Sequence, residues 1–262
     1  MVRVLTSSGT SIGYAEAGRS DRTPIVFLHG VGSDKSVWRS QLGHFGQERR
    51  TLAFDYPGYG DSDPAPEGTS RDDYAAVIVS ALAELGITRA HICGLSLGGV
   101  VAIAIHHAAP GLCASLILAD TFASHPDGQA IYERSIAASE NMRVLAEGRV
   151  DVLLAQPADP AVRSEVIETM AAIEPGAFRI GAEAVWLANQ AERADAIRVP
   201  TLVVCGTEDK VTPPALSTSL TRMIPGAHYE PIEGAGHISN LERADAFNTI
   251  VGAFIRGVDS HA

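Results

Sequence analysis

The chain has 262 residues, 46% of them hydrophobic, enough to bury a substantial core within one α/β-sized unit. Its 20 basic against 31 acidic side chains give a formal charge of −11, the wrong sign for a phosphate backbone, and no run of Lys or Arg makes a basic patch, so nucleic acid is not an expected partner. Residues 1–11 lack a basic start followed by an apolar core and no apolar stretch has the length a bilayer requires, so neither a secretory signal nor membrane association is expected.

Short apolar runs alternate along the chain with longer segments of helical periodicity. That pattern predicts an α/β fold with a mostly parallel central sheet and helices on both faces. Strands are predicted at 11–15, 25–28, 51–54, 90–93, 115–118, 201–205 and 228–231, several with the continuous Val, Ile and Leu content of strands buried on both faces. Helices are predicted at 71–85, 97–109, 214–223 and 243–255. Residues 121–196 break the rhythm: they hold no convincing strand but are rich in Ala, Glu and Arg at helical spacing, with breakers at Gly148, Pro157, Pro160 and Pro175. The expected organisation is a core of residues 1–120 and 197–262, with 121–196 inserted as a small helical cap over the carboxyl edge of the sheet, where ligands bind in open α/β folds. Cys93, Cys113 and Cys205 lack zinc-site spacing and read as reduced core thiols of a cytoplasmic protein.

The segment Gly94-Leu95-Ser96-Leu97-Gly98-Gly99 sits where a predicted strand hands over to a predicted helix. A serine flanked by glycines at that junction can form a nucleophile elbow, a tight turn that exposes the hydroxyl at the top of a sheet. A serine hydroxyl is a weak nucleophile at neutral pH, so it needs a base within reach and a third group to orient that base. Asp209 falls just past the predicted strand 201–205, and His237 lies in the glycine-flanked loop that follows 228–231. The order Ser96, Asp209, His237 is that expected of α/β-hydrolases. Asp120, at the end of another predicted strand, is the rival acid; Glu208 is expected to point to solvent.

Donors for a developing oxyanion are expected from the backbone amides of Val31, in the His29-Gly30-Val31-Gly32 loop after strand 25–28, and of Leu97, directly after the serine. His29 reads as a structural residue beneath that loop, and Asp55-Tyr56-Pro57-Gly58-Tyr59-Gly60-Asp61-Ser62 as a structural turn. His106 and His107 fall on the helix behind the elbow and His91 begins a strand, while His44, His125, His228 and His261 have no positioned partner. All seven are read as structural or solvated.

On these residues the chain resembles the α/β-hydrolase superfamily over essentially its full length. Phe27-Leu28-His29-Gly30-Val31-Gly32-Ser33, Cys93 to Gly99, Pro200 to Gly206 and Ala235-Gly236-His237-Ile238-Ser239-Asn240-Leu241-Glu242 make it similar to the 3-oxoadipate enol-lactonase group and its carboxylesterase relatives. The resemblance implies Ser96 as nucleophile, Asp209 as acid and His237 as base, acting on a small-molecule ester or lactone with no metal or organic cofactor. The cap departs from the group's pattern: Val152-Leu153-Leu154-Ala155-Gln156-Pro157 stands where an Arg-Trp-Phe-like segment is usual. Because pocket shape sets substrate choice, the acyl and alcohol parts of the substrate stay open. C–C bond hydrolysis, cofactor-free haloperoxidase or perhydrolase chemistry, and a non-catalytic ligand receptor are the alternatives on the same fold. Trp38, Phe122, Tyr132, Phe178 and Trp186 are candidate pocket walls, with one or two of the five expected to serve. Arg134 or Arg143 would hold a substrate carboxylate if there is one, although each taken singly reads as a solvated cap residue.

Overall fold

The computed structural model describes residues 2–7 and 9–260; His261, expected to be structural or solvated, lies outside them. All seven predicted strands form, as β2 (Thr10–Ala17), β3 (Ile25–Leu28), β4 (Thr51–Phe54), β5 (Ala90–Leu95), β6 (Cys113–Ala119), β7 (Thr201–Gly206) and β8 (His228–Ile232). They join β1 (Val2–Ser7) in one eight-stranded sheet of order β1-β2-β4-β3-β5-β6-β7-β8. From β4 to β8 the neighbours are parallel, whereas β2 runs antiparallel to both β1 and β4. The strand β1 is an addition to the expected set. Its run Val-Arg-Val-Leu-Thr-Ser reads as mixed in sequence because it is the sheet edge, held by its hairpin partner β2 rather than by burial on both faces.

The inner strands show why the apolar runs were legible. Every residue of β3, β4, β5, β6 and β7 is buried, so neither face of these strands tolerates a polar alternation. Helix α1 (Arg39–Phe45) and the 3-10 turn before it, Lys35–Trp38, were not anticipated; they are short, and the turn starts on the Asp34 carboxylate, which accepts from the Ser36 amide. Helix α2 (Arg71–Glu84) starts on a capping box in which the side chains of Ser70 and Asp73 each take the other's backbone amide. Helix α3 (Leu97–Ala108) is buried along almost its whole length behind β5.

Between β6 and β7 lie five helices: α4 (Gly128–Ala138), α5 (Met142–Leu153), α6 (Pro160–Ala171), α7 (Pro175–Trp186) and α8 (Ala191–Asp195). Pro160 and Pro175 occupy the first turn of α6 and α7, where a missing N–H costs nothing, so these two act as starts. Gly148 does not break the chain as expected: it sits inside α5, whose register is held by the buried Met142, Leu145, Ala146, Val150 and Leu153. After β7 come α9 (Pro214–Met223), then, past β8, the single turn α10 (Ser239–Glu242) and α11 (Ala244–Asp259). Among the described residues no helix is long and apolar enough to cross a membrane.

Candidate active site

Five loops leave the sheet at the carboxyl ends of β3, β5, β6, β7 and β8, and they carry residues 29–31, Ser96, Asp120, Asp209 and His237 respectively. A parallel sheet brings these ends to one edge, so residues far apart in sequence become neighbours without any long excursion of the backbone.

Ser96 stands between β5 and α3 with φ 55° and ψ −114°, a conformation that costs a non-glycine residue on the order of 1–3 kcal/mol. The surroundings over-determine it: its amide donates to the Ala119 carbonyl at 2.9 Å and its own carbonyl accepts from the Thr121 hydroxyl at 2.8 Å. Two of the flanking glycines are required by close approach. A Cβ at Gly94 would run into the Gly98 carbonyl, and one at Gly98 into the Leu28 carbonyl of the neighbouring strand. Leu97 opens α3, where a backbone N–H has no acceptor within the helix.

Asp209 is a buried carboxylate with four N–H and O–H donors around it and the Cys205 thiol at 3.9 Å. Its Oδ1 accepts from the Val211 and Thr212 amides at 2.8 and 2.9 Å, and its Oδ2 accepts from the Thr212 hydroxyl at 2.6 Å and from His237 Nδ1 at 2.9 Å. Since a carboxylate is an acceptor, this contact assigns the proton to Nδ1 and leaves Nε2 with a free lone pair. Burial pushes the Asp209 pKa up, but the charge and hydrogen bond of His237, with the Thr212 donors, outweigh it and hold the group below its ordinary value. Burial likewise depresses His237, and the Asp209 charge and hydrogen bond more than offset it, so the imidazole lies above its ordinary value.

The loop of His237 is tied down from the helices between β6 and β7. The His237 amide donates to the Leu153 carbonyl at 2.8 Å, and Glu242 accepts from the amides of Gly236 and Ala155 at 2.9 and 2.7 Å. Asn240 donates to the Val37 carbonyl at 3.0 Å. The run after His237 therefore anchors the base to the end of α5 and to the turn before α1.

Asp120, the rival acid, does not touch His237. Its Oδ1 accepts from the Gly206 amide at 2.8 Å and its Oδ2 accepts from the Ser239 hydroxyl, which bridges the loop of Asp209 to that of His237. Burial, with the Asp209 charge beside it, raises its pKa to about 8. Ligand atoms of Asp120, Cys205 and Asp209 lie within 4.8 Å of one another, but burial also raises the Cys205 thiol far above its ordinary value. At neutral pH that leaves one carboxylate among three donors, already saturated by hydrogen bonds, which is poor metal-binding chemistry.

Ser96 and His237 line one cavity of about 40 Å³, together with Gly30, Val31 and Leu95 from the sheet side and Arg149, Leu153, Met170, Phe178 and Trp186 from the helices between β6 and β7. No hydrogen bond joins Ser96 to His237 among the described residues, a common state for such a pair before substrate arrives. The free volume holds little more than ordered water and is far below the ~300–1,000 Å³ of a drug-sized ligand pocket, so its walls must shift to admit a substrate. A larger cavity, about 870 Å³, lies away from these residues between the loop after β4 and helices α6 and α7.

Of the expected pocket walls, Trp186 and Phe178 line the cavity. Trp38 does not: it is a fully buried core residue, stacked on Phe27 at 4.9 Å and against Phe247 at 5.8 Å. Phe122 sits one layer away, stacked on Trp186 at 5.8 Å, and Tyr132 packs at the edge of the hydrophobic core. Arg134 faces a separate cavity, and Arg143 is spent on a two-pronged pair with Glu168 at 2.6 and 2.7 Å. Arg149, Leu153 and Met170 were missed, because nothing in a helical repeat tells which face meets a pocket.

Of the other histidines, His29 is buried against Tyr56 and Tyr59 with Nδ1 on the Gly30 carbonyl at 2.8 Å. His91 bonds Ser115 at 2.8 Å and Asp259 at 3.1 Å, and burial lowers its pKa to about 4. His125, expected to lack a partner, accepts from the Asp127 amide at 3.1 Å and packs edge-on against Phe122 and Trp186. The turn 55–62 is held by Asp55, whose oxygens accept from the Lys35 amide at 2.8 Å, from Lys35 Nζ at 2.5 Å and from the Asp61 amide at 3.0 Å.

The chain is similar to 3-oxoadipate enol-lactonase 2 of Acinetobacter baylyi, 28% identical over 96% of each chain. It is also similar to the dihydrolipoyllysine-residue acetyltransferase component of the acetoin cleaving system of Pseudomonas putida, 31% identical over 95% of this chain and 67% of that protein. The crystal structure of the enol-lactonase from Burkholderia xenovorans LB400 superposes with a TM-score of 0.90 at 28% identity, covering 97% of this chain and 100% of that one. Residues 25–250 match the alpha/beta hydrolase family, and the chain belongs to that family.

Proposed function

We propose that the protein is a serine hydrolase that cleaves a carboxylic ester or lactone through an acyl-enzyme. His237 takes the proton of Ser96 as the hydroxyl oxygen attacks the carbonyl, and Asp209 holds the imidazole in the required tautomer and stabilises its charged form. The tetrahedral anion rests on the amides of Val31 and Leu97. Collapse expels the alcohol, which takes the proton from His237; water, deprotonated by the same imidazole, then releases the acid. Residues 121–196 act as the cap that sets substrate size, with Phe178 and Trp186 as walls. The three free, buried thiols fit a reducing, cytoplasmic setting.

The observation that carries this reading is the pairing of a backbone-strained serine with an Asp209-bound histidine in one cavity. The similarity to a named enol-lactonase supports the ester and lactone class, while the altered cap segment 152–157 argues for a different acyl or alcohol part. A panel of p-nitrophenyl esters, saturated lactones and enol-lactones tests it. Short acyl esters are expected to turn over fastest, because the closed cavity is about 40 Å³. Absence of turnover on every member, with the protein folded and binding ligand, would favour a receptor.

A further inference from the structure

A second cavity, of about 340 Å³, adjoins the first between α4, α5 and the loop after Asp209. Arg149 lines both, so its side chain forms part of the wall between them. The second cavity is also lined by Arg134 and Lys210, and no acidic residue contributes to its lining. Three cations gathered around one space are unexpected in a chain with 31 acidic against 20 basic residues. Nor are they neutralised: among the described residues none of the three forms an ion pair, and Arg149 makes a single hydrogen bond, to the Ser135 hydroxyl at 3.3 Å. Other arginines on the helices between β6 and β7 do find acids, as Arg143 does with Glu168, Arg163 with Asp151 and Arg193 with Asp72. Arg149 is half-buried, and burial together with the neighbouring Arg134 lowers its pKa, as expected of a partly desolvated cation without a counter-charge.

The geometry points to this cavity as an anion subsite, in which Arg149, Arg134 and Lys210 hold a carboxylate of the substrate while its reacting carbonyl lies at Ser96. This rests on the hydrolytic reading above and narrows it to esters or lactones with a carboxylate several bonds from the scissile carbonyl. A guanidinium with one donor engaged keeps others free for a two-pronged carboxylate contact, and the partial burial of Arg149 strengthens it relative to a fully solvated pair. Arg149 is then a specificity-determining residue, contributed by the cap helix that also anchors the His237 loop through Leu153.

Two matched substrate pairs test the subsite. The first compares mono-p-nitrophenyl glutarate with p-nitrophenyl butyrate, placing the anion on the acyl side; the second compares the acetate ester of γ-hydroxybutyrate with butyl acetate, placing it on the alcohol side. In the native protein kcat/KM is expected to favour the anionic member of at least one pair by about tenfold or more, as one charge-assisted contact supplies. Arg149→Gln should bring that ratio to about one, and the exposed-site variants Arg134→Ala and Lys210→Ala should each cut it about threefold, which guards against misfolding of the first. A ratio near one for both pairs in the native protein, or a ratio that survives all three substitutions, overturns the subsite. Glutarate binding, read by calorimetry, separates this from failure of hydrolysis. Binding lost in Arg149→Gln supports the subsite even if no ester turns over, and no millimolar binding to the native protein overturns it.

Discussion

Ser96→Ala is expected to lower kcat for ester hydrolysis by about a millionfold while KM stays within a few-fold, since the nucleophile is removed and the cavity walls stay in place. The prediction follows from how little else at the carboxyl edge can attack a carbonyl. Cys93 and Cys205 are buried with thiols held far above their ordinary pKa, and Ser239 is engaged with Asp120. Alanine removes only the hydroxyl from a site whose backbone is fixed by the Ala119 and Thr121 contacts, and it keeps the Cβ that makes φ 55° costly, so the melting temperature should change little. Steady-state kinetics on the preferred p-nitrophenyl ester, with a thermal melt as control, read both. Retention of more than a few per cent of the native rate would exclude Ser96 as nucleophile.

Asp209→Asn is expected to cost about 10⁴ in kcat, because an amide in place of the carboxylate no longer enforces the Nδ1–H tautomer. The pH profile should move with it. Activity needs the neutral imidazole, so the rate rises as pH climbs through the folded pKa of His237, and the Asp209 charge holds that pKa above the ordinary value of ~6.5. Without that charge the desolvation of the ring is less opposed, and the acidic limb of kcat/KM should shift to lower pH. Asp120 distinguishes the two carboxylates: its oxygens serve Gly206 and Ser239, so it is not placed to substitute. Were Asp120 the working acid, Asp209→Asn would leave the rate within a few-fold, and Asp120→Asn would carry the loss.

The site was legible where its residues are tied to local chain geometry. Ser96 is announced by glycines that the Gly98 carbonyl and the Leu28 carbonyl demand; Asp209 follows an apolar run that becomes a buried parallel strand, and His237 follows β8, a mostly exposed edge strand paired parallel to β7. Loop identity after a strand fixes location at the sheet edge, which is why three separate placements converge. What failed was orientation. Trp38 lies close in sequence to the 29–32 loop, yet its indole turns into the core between Phe27 and Phe247. The place of Arg149 in the cavity wall was invisible because it depends on how α5 docks against the His237 loop through Leu153, a tertiary event with no signature in the repeat of α5 itself. Gly148 was read as a helix end, but packing of one face of α5 overrode the roughly 1 kcal/mol that an interior glycine costs. The edge strand β1 was missed for the complementary reason: pairing with β2, rather than burial, makes it a strand.

The account depends on one reactive hydroxyl, and covalent trapping reads it most directly. Treatment of the whole folded protein with a fluorophosphonate, followed by mass spectrometry of its peptides, is predicted to find a single phosphonyl group on Ser96, with labelling slowed by Asp209→Asn. A folded protein that takes no label, or takes it at another residue, would contradict the mechanism.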